Sequence, residues 1–340
     1  MALRIGIVGL GFMGKMHFDT YGRMKDAKVT AICDVDPKKR AGDWSGIRGN
    51  IGGGGRRVDL KGIRTYADLK DMLADPAVDV VDVTLPTYLH AGAAIAAFKA
   101  GKHVICEKPL AINGRQAASV VAAARRARRR LFVAQCIRFW PQYAVARNIV
   151  RSGKWGPVLT AAFRRFSATP TWSWRSWLQD PRRSGLAALD LHIHDADYVL
   201  YTFGKPRSVT AHGGGLKPGR MDHMLASYDF GGGKLVTAEG AWEFAAGYPF
   251  SMTFTIAMKK ATLSMGPDLK LTLNRVRGGT TEVKAPAGDG YGHELAHFVE
   301  CIRKNKASPV VTPESAMQSV KLVEAEVRSA RAHKTVRVRL

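Results

Sequence analysis

A strand pattern that runs directly into a glycine-rich turn constrains this chain more than any other feature. Residues 4–8 are typical of a buried strand, and the segment GLGFMG at residues 9–14 follows them and opens a helical pattern. Gly9 permits a tight turn, Gly11 lets the backbone approach a pyrophosphate, and Gly14 allows close packing of helix on strand. The motif therefore predicts a dinucleotide-binding fold with the phosphates at the helix N-terminus.

An acidic residue at the end of the second predicted strand bears on the choice of dinucleotide. Asp34 follows Gly14 by 20 residues, where a carboxylate accepts hydrogen bonds from the adenosine ribose hydroxyls. This position favours NAD. Lys38, Lys39 and Arg40 come shortly after it and could neutralise a 2′-phosphate, so NADP stays open as the alternative.

The first part of the chain alternates short β-branched runs with longer helical patterns, which is typical of βαβ units around a parallel sheet. The predicted strands are Arg4–Val8, Lys28–Cys33, Asp79–Thr84, His103–Cys106 and Leu131–Gln135. The predicted helices cover residues 13–24, 67–74, 89–100 and 114–128. A segment at 45–62 contains Gly52, Gly53, Gly54 and Gly55 and predicts a mobile insertion in the nucleotide domain.

After about residue 138 strands follow one another without intervening helices, which favours a largely antiparallel sheet. The predicted strands are Ser208–His212, Met224–Phe230, Lys234–Trp242, Ser251–Ile256 and Lys270–Leu273. Helices are predicted at Gly292–Lys304 and Pro313–Ala332, the second capped by Thr312. The predicted fold class is α/β: an N-terminal Rossmann parallel sheet in residues 1–137, then an α+β domain with a large, mostly antiparallel open sheet in residues 138–340.

Size and composition agree with two domains in a soluble protein. A chain of 340 residues exceeds the usual size of one core, and its 46% of hydrophobic residues can fill two. It contains no run of about 18 apolar residues and no signal-peptide pattern, so we expect a cytoplasmic protein without membrane contact. Because the four cysteines show no metal-binding spacing, we expect reduced core thiols at Cys33, Cys106, Cys136 and Cys301.

The formal net charge of +24 is high and favours anionic partners in general. The densest basic run, residues 125–130, ends an alanine-rich helical pattern, where cations complement the negative end of the helix dipole and stay solvated. We therefore predict a solvated basic surface and no specific binding of nucleic acid. A contact with nucleic acid or with a membrane surface is the alternative.

Polar residues follow the fourth and fifth predicted strands, at the edge of the sheet where a nicotinamide would lie. The first segment is TLPTYLH at residues 84–90, and the second is Glu107-Lys108-Pro109. Two ionisable groups at a buried strand end are costly for a turn with a purely structural role. Lys108 can hydrogen-bond a substrate hydroxyl, and a cis bond before Pro109 would aim Lys108 into the cleft.

Asp190 and His194 lie four residues apart in a helical pattern, one above the other, so they can act on one substrate. A neighbouring carboxylate raises the proton affinity of an imidazole and can orient it as a base. Moving a hydride from an alcohol carbon to nicotinamide requires removal of the hydroxyl proton. His194 has the right chemistry for this step near neutral pH.

A metal site is an alternative interpretation of the same segment, since His192, Asp195 and Asp197 flank the pair. On a helix His192 and His194 point roughly 200° apart, which disfavours a shared ion. We predict no metal. A structural, buried histidine paired with its acid also stays open.

Taken together, these segments resemble the Gfo/Idh/MocA family, named after glucose-fructose oxidoreductase, inositol dehydrogenase and a rhizopine-catabolism protein. The resemblance spans nearly the whole chain. It depends on GLGFMG, Asp34, TLPTYLH, CEKP, QCIRFWP at residues 135–141, DPRRSGLAALDLHIHDADYVLYTFGKP and YGHELAHFVECI. One departure is Ser184-Gly185 followed by Leu186, where the family usually has a glycine pair; this concerns the loop geometry and not the pair Asp190 and His194.

The resemblance implies that Lys108, Asp190 and His194 carry out acid-base chemistry on a sugar or cyclitol hydroxyl. It implies cofactor contacts at Gly9, Gly11, Phe12, Met13, Gly14, Asp34, Thr84, Leu85, Pro86, His90, Glu107 and Lys108. It also implies substrate contacts, besides the three catalytic residues, at Arg138, Trp140, Trp172, Arg175 and Tyr291. The open sheet of the second domain is expected to join copies of the chain into a homodimer or homotetramer.

The expected function is an NAD(P)-dependent dehydrogenase that acts on a secondary hydroxyl or keto group of a sugar, polyol or cyclitol. Two alternatives remain. One is glycoside hydrolysis through transient oxidation by a retained NAD. The other is a non-catalytic, cofactor-sensing protein, which the presence of Lys108, Asp190 and His194 disfavours.

Overall fold

The computed structural model describes residues 1–50 and 54–340, which form two compact units. The first unit consists of Met1–Gln135, Thr171–Ser184 and Tyr291–Met317. The second consists of Cys136–Pro170, Gly185–Gly290 and Gln318–Leu340. The chain thus passes between the units several times, whereas the sequence predicts one boundary after residue 137.

The first unit contains a sheet of six parallel strands in the order β3-β2-β1-β4-β5-β6. The strands are β1 (Leu3–Val8), β2 (Ala27–Cys33), β3 (Arg64–Tyr66), β4 (Val80–Val83), β5 (His103–Glu107) and β6 (Leu131–Ala134). The helices between them are α1 (Phe12–Tyr21), α2 (Pro37–Arg40), α3 (Leu69–Ala74), α4 (Thr87–Lys99) and α5 (Gly114–Ala127). This arrangement confirms the predicted Rossmann sheet.

The strand order places β1 between β2 and β4, so the direction of winding reverses next to β1. In open parallel sheets ligands bind outside the carboxyl ends of the strands at such a switch point. Val80–Val83 is buried at every position, as expected for a strand covered on both faces. The segments that follow β1, β2, β4 and β5 therefore share the ligand-binding edge.

Five more helices follow in the chain: α6 (Pro141–Arg151), α7 (Pro181–Ser184), α8 (Ile193–Phe203), α9 (Gly290–Arg303) and α10 (Pro313–Ala332). Thr312 caps α10 as predicted, since its Oγ1 accepts the Ser315 N–H at 3.1 Å. A π-helix, Ala188–His192, leads directly into α8. Within the described residues, no helix has the length and apolar character to cross a membrane.

The second unit contains a nine-stranded sheet in the order β14-β13-β12-β11-β7-β10-β9-β8-β15. Its strands are β7 (Val158–Ala168), β8 (Ser208–Gly214), β9 (His223–Asp229), β10 (Leu235–Phe244), β11 (Ser251–Met258), β12 (Ala261–Met265), β13 (Leu271–Arg275), β14 (Thr280–Glu282) and β15 (Val336–Arg337). Only β7 and β10 pair in parallel among the pairs in this sheet of the described chain. The predicted large, mostly antiparallel sheet is confirmed.

The strand β7 is not among those predicted from the sequence, although it lies in the middle of the second sheet. The strand carries Arg164 and Arg165 side by side, which breaks the apolar pattern of a central strand. Arg165 is only 2% exposed, and its Nε and Nη2 donate to the two carboxylate oxygens of Asp195 at 2.9 and 3.1 Å. A buried arginine fits in this strand because a carboxylate from α8 neutralises it.

Part of the predicted mobile insertion, residues 51–53, lies outside the described residues. The segments beside it lie against α1. Trp44 is fully buried, with its ring 4.8 Å from that of Phe18, and Arg56 forms an ion pair of 2.7 Å with Asp19. These contacts attach the insertion to the helix that the glycine turn opens.

Candidate functional site

The glycine turn after β1 has the geometry that the sequence predicts. Gly9 has a φ of +93°, and a Cβ there would lie 2.9 Å from the Thr84 carbonyl oxygen. A Cβ on Gly14 would lie 2.1 Å from the Gly9 carbonyl oxygen, so α1 packs directly on the turn. Gly11, at the N-cap of α1, has no atom within 4 Å of the equivalent position. The turn is closed on its protein side and open at Gly11, which fits the approach of a pyrophosphate to the helix N-terminus.

Thr84 joins the end of β4 to this turn, since its Oγ1 donates to the Gly9 carbonyl oxygen at 2.7 Å. His90, on the first turns of α4, lies 2.7 Å through Nε2 from the Leu85 carbonyl oxygen and 2.7 Å through Nδ1 from that of Pro109. Burial lowers the pKa of His90, although the two carbonyl groups oppose the shift. His90 therefore connects the segments after β4 and β5.

Asp34 lies at the end of β2 with both carboxylate oxygens occupied by backbone groups. Its Oδ2 accepts the Leu10 N–H at 2.7 Å and its Oδ1 accepts the Asp36 N–H at 2.9 Å. Lys39 Nζ lies 3.7 Å from Oδ2, and the Arg40 guanidinium donates to the Asp34 carbonyl oxygen at 2.7 Å. The acid is thus held beside the glycine turn, with two cations next to it.

Lys108 follows β5 at the same edge of the sheet, and its peptide bond to Pro109 is cis, as the sequence analysis considers. Glu107, the last residue of β5, accepts the Lys108 backbone N–H through Oε2 at 3.0 Å. Glu107 is 5% exposed, whereas Lys108 is half-buried. The lysine is therefore the more accessible of the two ionisable groups in the turn.

A buried cluster beneath this turn was missed by sequence analysis. His17 on α1 is fully buried, and its Nδ1 lies 2.8 Å from Asp82 Oδ2 while its Nε2 lies 3.2 Å from Glu107 Oε1. Tyr21 donates its hydroxyl to the same Asp82 oxygen at 2.9 Å. A signal was present in the sequence, because an aspartate interrupts the otherwise apolar strand Val80–Val83.

His17, Glu107 and Glu294 are the three side chains of the described residues whose ligand atoms converge, all within 4.8 Å of one another. Burial alone would lower the pKa of His17, but attraction to Asp82 and Glu107 and the hydrogen bonds to them outweigh it. The net result is a pKa well above the ordinary value for histidine. A proton on His17 therefore supplies a positive charge to this acidic cluster.

In the second unit, Asp190 and His194 are distinguished by exposure. Of the 14 residues Leu186–Val199, these two alone are partly exposed, and the other 12 are buried. Asp190 lies on the π-helix and His194 on the first turn of α8. The local fold therefore presents the predicted acid and base together on one face, and π-helical turns occur frequently at functional sites.

The buried neighbours of this pair have partners of their own. His192 is fully buried, with its Nε2 3.0 Å from Glu326 Oε2, and a Cβ on Gly240 of β10 would lie 2.8 Å from the His192 Cβ. Asp195 and Asp197 bind Arg165 and Arg138, respectively. His192, Asp195 and Asp197 therefore have separate partners within the second unit.

Arg138 lies in a more enclosed position than a substrate contact requires. It is 4% exposed, and its Nε and Nη2 donate to Asp197 at 2.8 and 2.6 Å. Asp197 Oδ1 also accepts the Ser319 hydroxyl at 2.5 Å. This geometry favours a structural ion pair at Arg138.

The other predicted substrate contacts are divided between the units. Trp140, in the second unit, is half-buried at the N-cap of α6. Trp172 belongs to the first unit and lies edge-on against Phe12 of the glycine turn, with 5.7 Å between ring centroids. Arg175 stacks 4.7 Å over Trp174, and Tyr291 on α9 is 9% exposed. The position of Trp172 places this aromatic segment beside the predicted dinucleotide site.

The components of the predicted site are thus found in both units. Lys108, the glycine turn and Asp34 belong to the first unit, and Asp190 and His194 belong to the second. A Rossmann sheet with this glycine turn, together with a partly exposed aspartate and histidine in the second unit, is typical of the nicotinamide-dependent oxidoreductases.

Comparison with known proteins gives the family. The model for the Gfo/Idh/MocA oxidoreductase family, NAD-binding Rossmann fold, matches residues 3–135, and the model for the Gfo/Idh/MocA C-terminal domain matches residues 143–264. The chain therefore belongs to the Gfo/Idh/MocA family of NAD-binding oxidoreductases, as the sequence motifs indicate.

Known proteins are similar to this chain over most or all of its length. The uncharacterized oxidoreductase YrbE of Bacillus subtilis is 24% identical over 339 residues, covering 95% of this chain and 93% of YrbE. Levoglucosan dehydrogenase of Pseudarthrobacter phenanthrenivorans is 31% identical over 221 residues, covering 62% of this chain and 53% of the dehydrogenase. The crystal structure of an NAD-binding oxidoreductase from Klebsiella pneumoniae is 26% identical with a TM-score of 0.85, covering 100% of both chains.

Proposed function

We propose that the protein is an NAD-dependent dehydrogenase that oxidises a secondary hydroxyl of a sugar, polyol or cyclitol, or reduces the corresponding ketone. One observation carries the proposal: in the buried segment Leu186–Val199, Asp190 and His194 alone are partly exposed. A fold that needed this segment for packing alone would gain by burying apolar side chains at both positions. Its relative levoglucosan dehydrogenase is named for an anhydro sugar, which supports the substrate class.

The residues divide the chemistry as follows. NAD, when bound, accepts or returns the hydride. Lys108 hydrogen-bonds the reacting hydroxyl and stabilises the negative charge that develops as its proton leaves. His194 accepts this proton, and Asp190 orients the imidazole and favours its protonated form. Gly9, Gly11 and Gly14 supply the phosphate cradle, and Asp34 binds the adenosine ribose.

The cofactor preference is the second part of the proposal. Asp34 is fixed by two backbone N–H groups in the position of a ribose-binding acid, which supports NAD. Lys39 and Arg40 lie beside it, so a protein that also accepts NADP would use these cations for the 2′-phosphate.

The outer face of the second sheet supports the proposal that copies of the chain associate there. In a protein with a net charge of +24, the partly exposed positions on this face are mostly small and uncharged. They include Ser227 on β9, Thr237 on β10, Ser251, Thr253 and Ala257 on β11, and Thr262 and Ser264 on β12. Arg164 on β7 and Glu239 on β10 are charged, and they neutralise each other in an ion pair of 3.3 Å. Depletion of charge is typical of interface cores, which supports a homodimer or homotetramer.

We also propose that residues 1–137 and 138–340 are the functional domains, the first for the cofactor and the second for the substrate. Two segments from the second half of the chain belong to the first unit, namely Thr171–Ser184 and Tyr291–Met317. A cytoplasmic location fits this role, because the reaction needs a pool of NAD(H), and the four cysteines are buried and free.

The test is a panel of aldoses, anhydro sugars, polyols, cyclitols and glycosides, each assayed with the purified protein for reduction of NAD and of NADP and for conversion of the substrate. We expect NADH formation with at least one member and a preference for NAD. Cofactor retained through gel filtration with conversion of glycosides and no net NADH would instead establish transient oxidation. Binding of NADH without turnover of any member would contradict the proposed activity.

A further inference from the structure

A chain of buried polar groups in the first unit runs from helix α1 to the turn that carries Lys108. Asp82 accepts from Tyr21 and lies 2.8 Å from His17 Nδ1. The other ring nitrogen of His17 lies 3.2 Å from Glu107 Oε1, and Glu107 Oε2 accepts the Lys108 backbone N–H at 3.0 Å. One histidine therefore joins the dinucleotide-binding helix to the end of β5.

The protonation state of this buried group of side chains follows from its hydrogen-bond geometry. A neutral imidazole has one N–H and can donate to one carboxylate, whereas both nitrogens of His17 face carboxylate oxygens. His17 and Asp82 are fully buried and Glu107 is 5% exposed, so bulk solvent does not compete for these hydrogen bonds. A protonated His17 donates to both acids and lowers the cost of burying them.

The His17 ring is held firmly on its Asp82 side, so its effect is transmitted towards the turn that carries Lys108. Asp82, on β4, is held by Tyr21 one turn further along α1, so the His17 ring is fixed from one side by the sheet and by its own helix. On its other side the ring meets Glu107, the last residue of β5, at 3.2 Å, and a carboxylate oxygen of Glu294 on α9 lies within 4.8 Å. Displacement of Glu107 moves the backbone of the next residue, Lys108, through the bond at Oε2.

We propose that His17 is a positioning residue that fixes the Glu107–Lys108 turn against the dinucleotide-binding helix, so that the reacting hydroxyl meets the lysine at the right place. The inference depends on the proposed function and deepens it. His17 itself touches neither substrate nor cofactor in this role. It acts through Glu107.

The first experiment compares His17→Gln with a matched control, His103→Gln. His103 lies at the opposite end of β5, half-buried, and accepts the Arg130 N–H at 3.0 Å. With a substrate from the panel, His17→Gln is expected to lower kcat about 10²-fold, because small displacements of a catalytic group are costly. NADH affinity, measured by fluorescence titration, and the KM for NAD should change little. The control should retain its kcat.

A double-mutant cycle then tests whether His17 acts through the lysine. In a Lys108→Ala background, His17→Gln should cause little further loss of kcat, because the group that it positions is gone. An equal, additive loss in both backgrounds would overturn the proposal. Tyr21→Phe removes one hydroxyl from these buried groups and keeps the ring, so it should also lower kcat, but by a smaller factor. If both Tyr21→Phe and His17→Gln are folded and have an unchanged kcat, the proposal is overturned.

A measurement without substrate separates this inference from the proposed function. Nitrogen NMR of the histidines at pH 8 should show His17 with both ring nitrogens protonated, and the signal should be missing in His17→Gln. A neutral ring, or a stoichiometric metal ion found by elemental analysis and lost in His17→Gln, would overturn the inference. If the wild type converts no panel member, the proposed function is contradicted. The NMR result then decides separately whether His17 is protonated between its two carboxylates.

Discussion

At the residue scale, we expect the cofactor preference to depend on Asp34. Its carboxylate is held by the Leu10 and Asp36 N–H groups, with Lys39 Nζ 3.7 Å away. Asp34→Ala is expected to relax the preference toward NADP, because it removes the ribose acceptor and leaves the cations. Titrations of NAD and NADP with wild type, Asp34→Ala and the control Asp36→Ala measure the change. Wild type that binds NADP tenfold tighter, about 1.4 kcal/mol, would show that the cations prevail.

Arg138 has two proposed roles, a structural ion pair with Asp197 and a substrate contact, and a substitution can distinguish them. Arg138→Met should lower the free energy of unfolding by about 3–5 kcal/mol, because Asp197 would remain buried without its cation. The control is Arg125→Met, whose ion pair with Glu314 is exposed and should contribute about 0–1 kcal/mol. Urea unfolding of both variants measures this. A stable Arg138→Met with weakened sugar binding would restore the substrate role that the family resemblance implies.

At the scale of elements, two glycines of one turn have separable roles. Gly14→Ala should destabilise the fold, since its Cβ would lie 2.1 Å from the Gly9 carbonyl oxygen. Gly11→Ala should leave the melting temperature nearly unchanged, since no atom lies within 4 Å of its Cβ, but it should weaken NADH binding because that space is where the pyrophosphate approaches. Thermal unfolding and fluorescence titration of both variants test the pair. Unaltered NADH affinity in Gly11→Ala would place the phosphates elsewhere.

The elements that sequence analysis predicted are those with a strong local pattern. The strands β1, β2, β4, β5 and β6 are mostly apolar runs that form the parallel sheet, and their pattern is enough to find them. The short strands β3, β14 and β15, of 3, 3 and 2 residues, have too few positions to show a period. β7 was missed because Arg165 is made compatible with the core by Asp195, which lies 30 residues away in the sequence.

The candidate site shows the same limit. Gly9, Lys108 and Asp190 belong to motifs in which local spacing carries the chemistry, so sequence analysis could name them. His17 depends on Asp82 and Glu107, which are 65 and 90 residues distant. The enclosed position of Arg138 depends equally on a distant acid. Contacts that arise only from the folding of remote segments leave little trace in a single sequence.

At the scale of the whole molecule, the charge of +24 is the feature with the least specific explanation. Several cations of the run at 125–130 have partners in the folded chain: Arg125 pairs with Glu314, Arg129 donates to the Gly101 carbonyl oxygen and Arg130 donates to that of Asn305. We expect weak, sequence-independent binding of duplex DNA at low salt that is lost at about 0.15 M salt, because released counterions drive such binding. Filter binding across a salt series measures it. Tight binding that persists at physiological salt would identify a nucleic-acid site.

The account as a whole depends on a hydroxyl proton being removed at the partly exposed pair on the π-helix and α8. The most direct test is steady-state kinetics of His194→Ala on a substrate confirmed in the panel, with NADH affinity measured separately by fluorescence. We predict a kcat lower by about 10²- to 10⁴-fold with nearly unchanged NADH affinity, since proton transfer is one component of the barrier. Lys108→Ala should raise KM and lower kcat together, because its charge acts on the bound substrate and in the transition state. Wild-type turnover by His194→Ala across the pH range would contradict the account and make Lys108 the first candidate for the base.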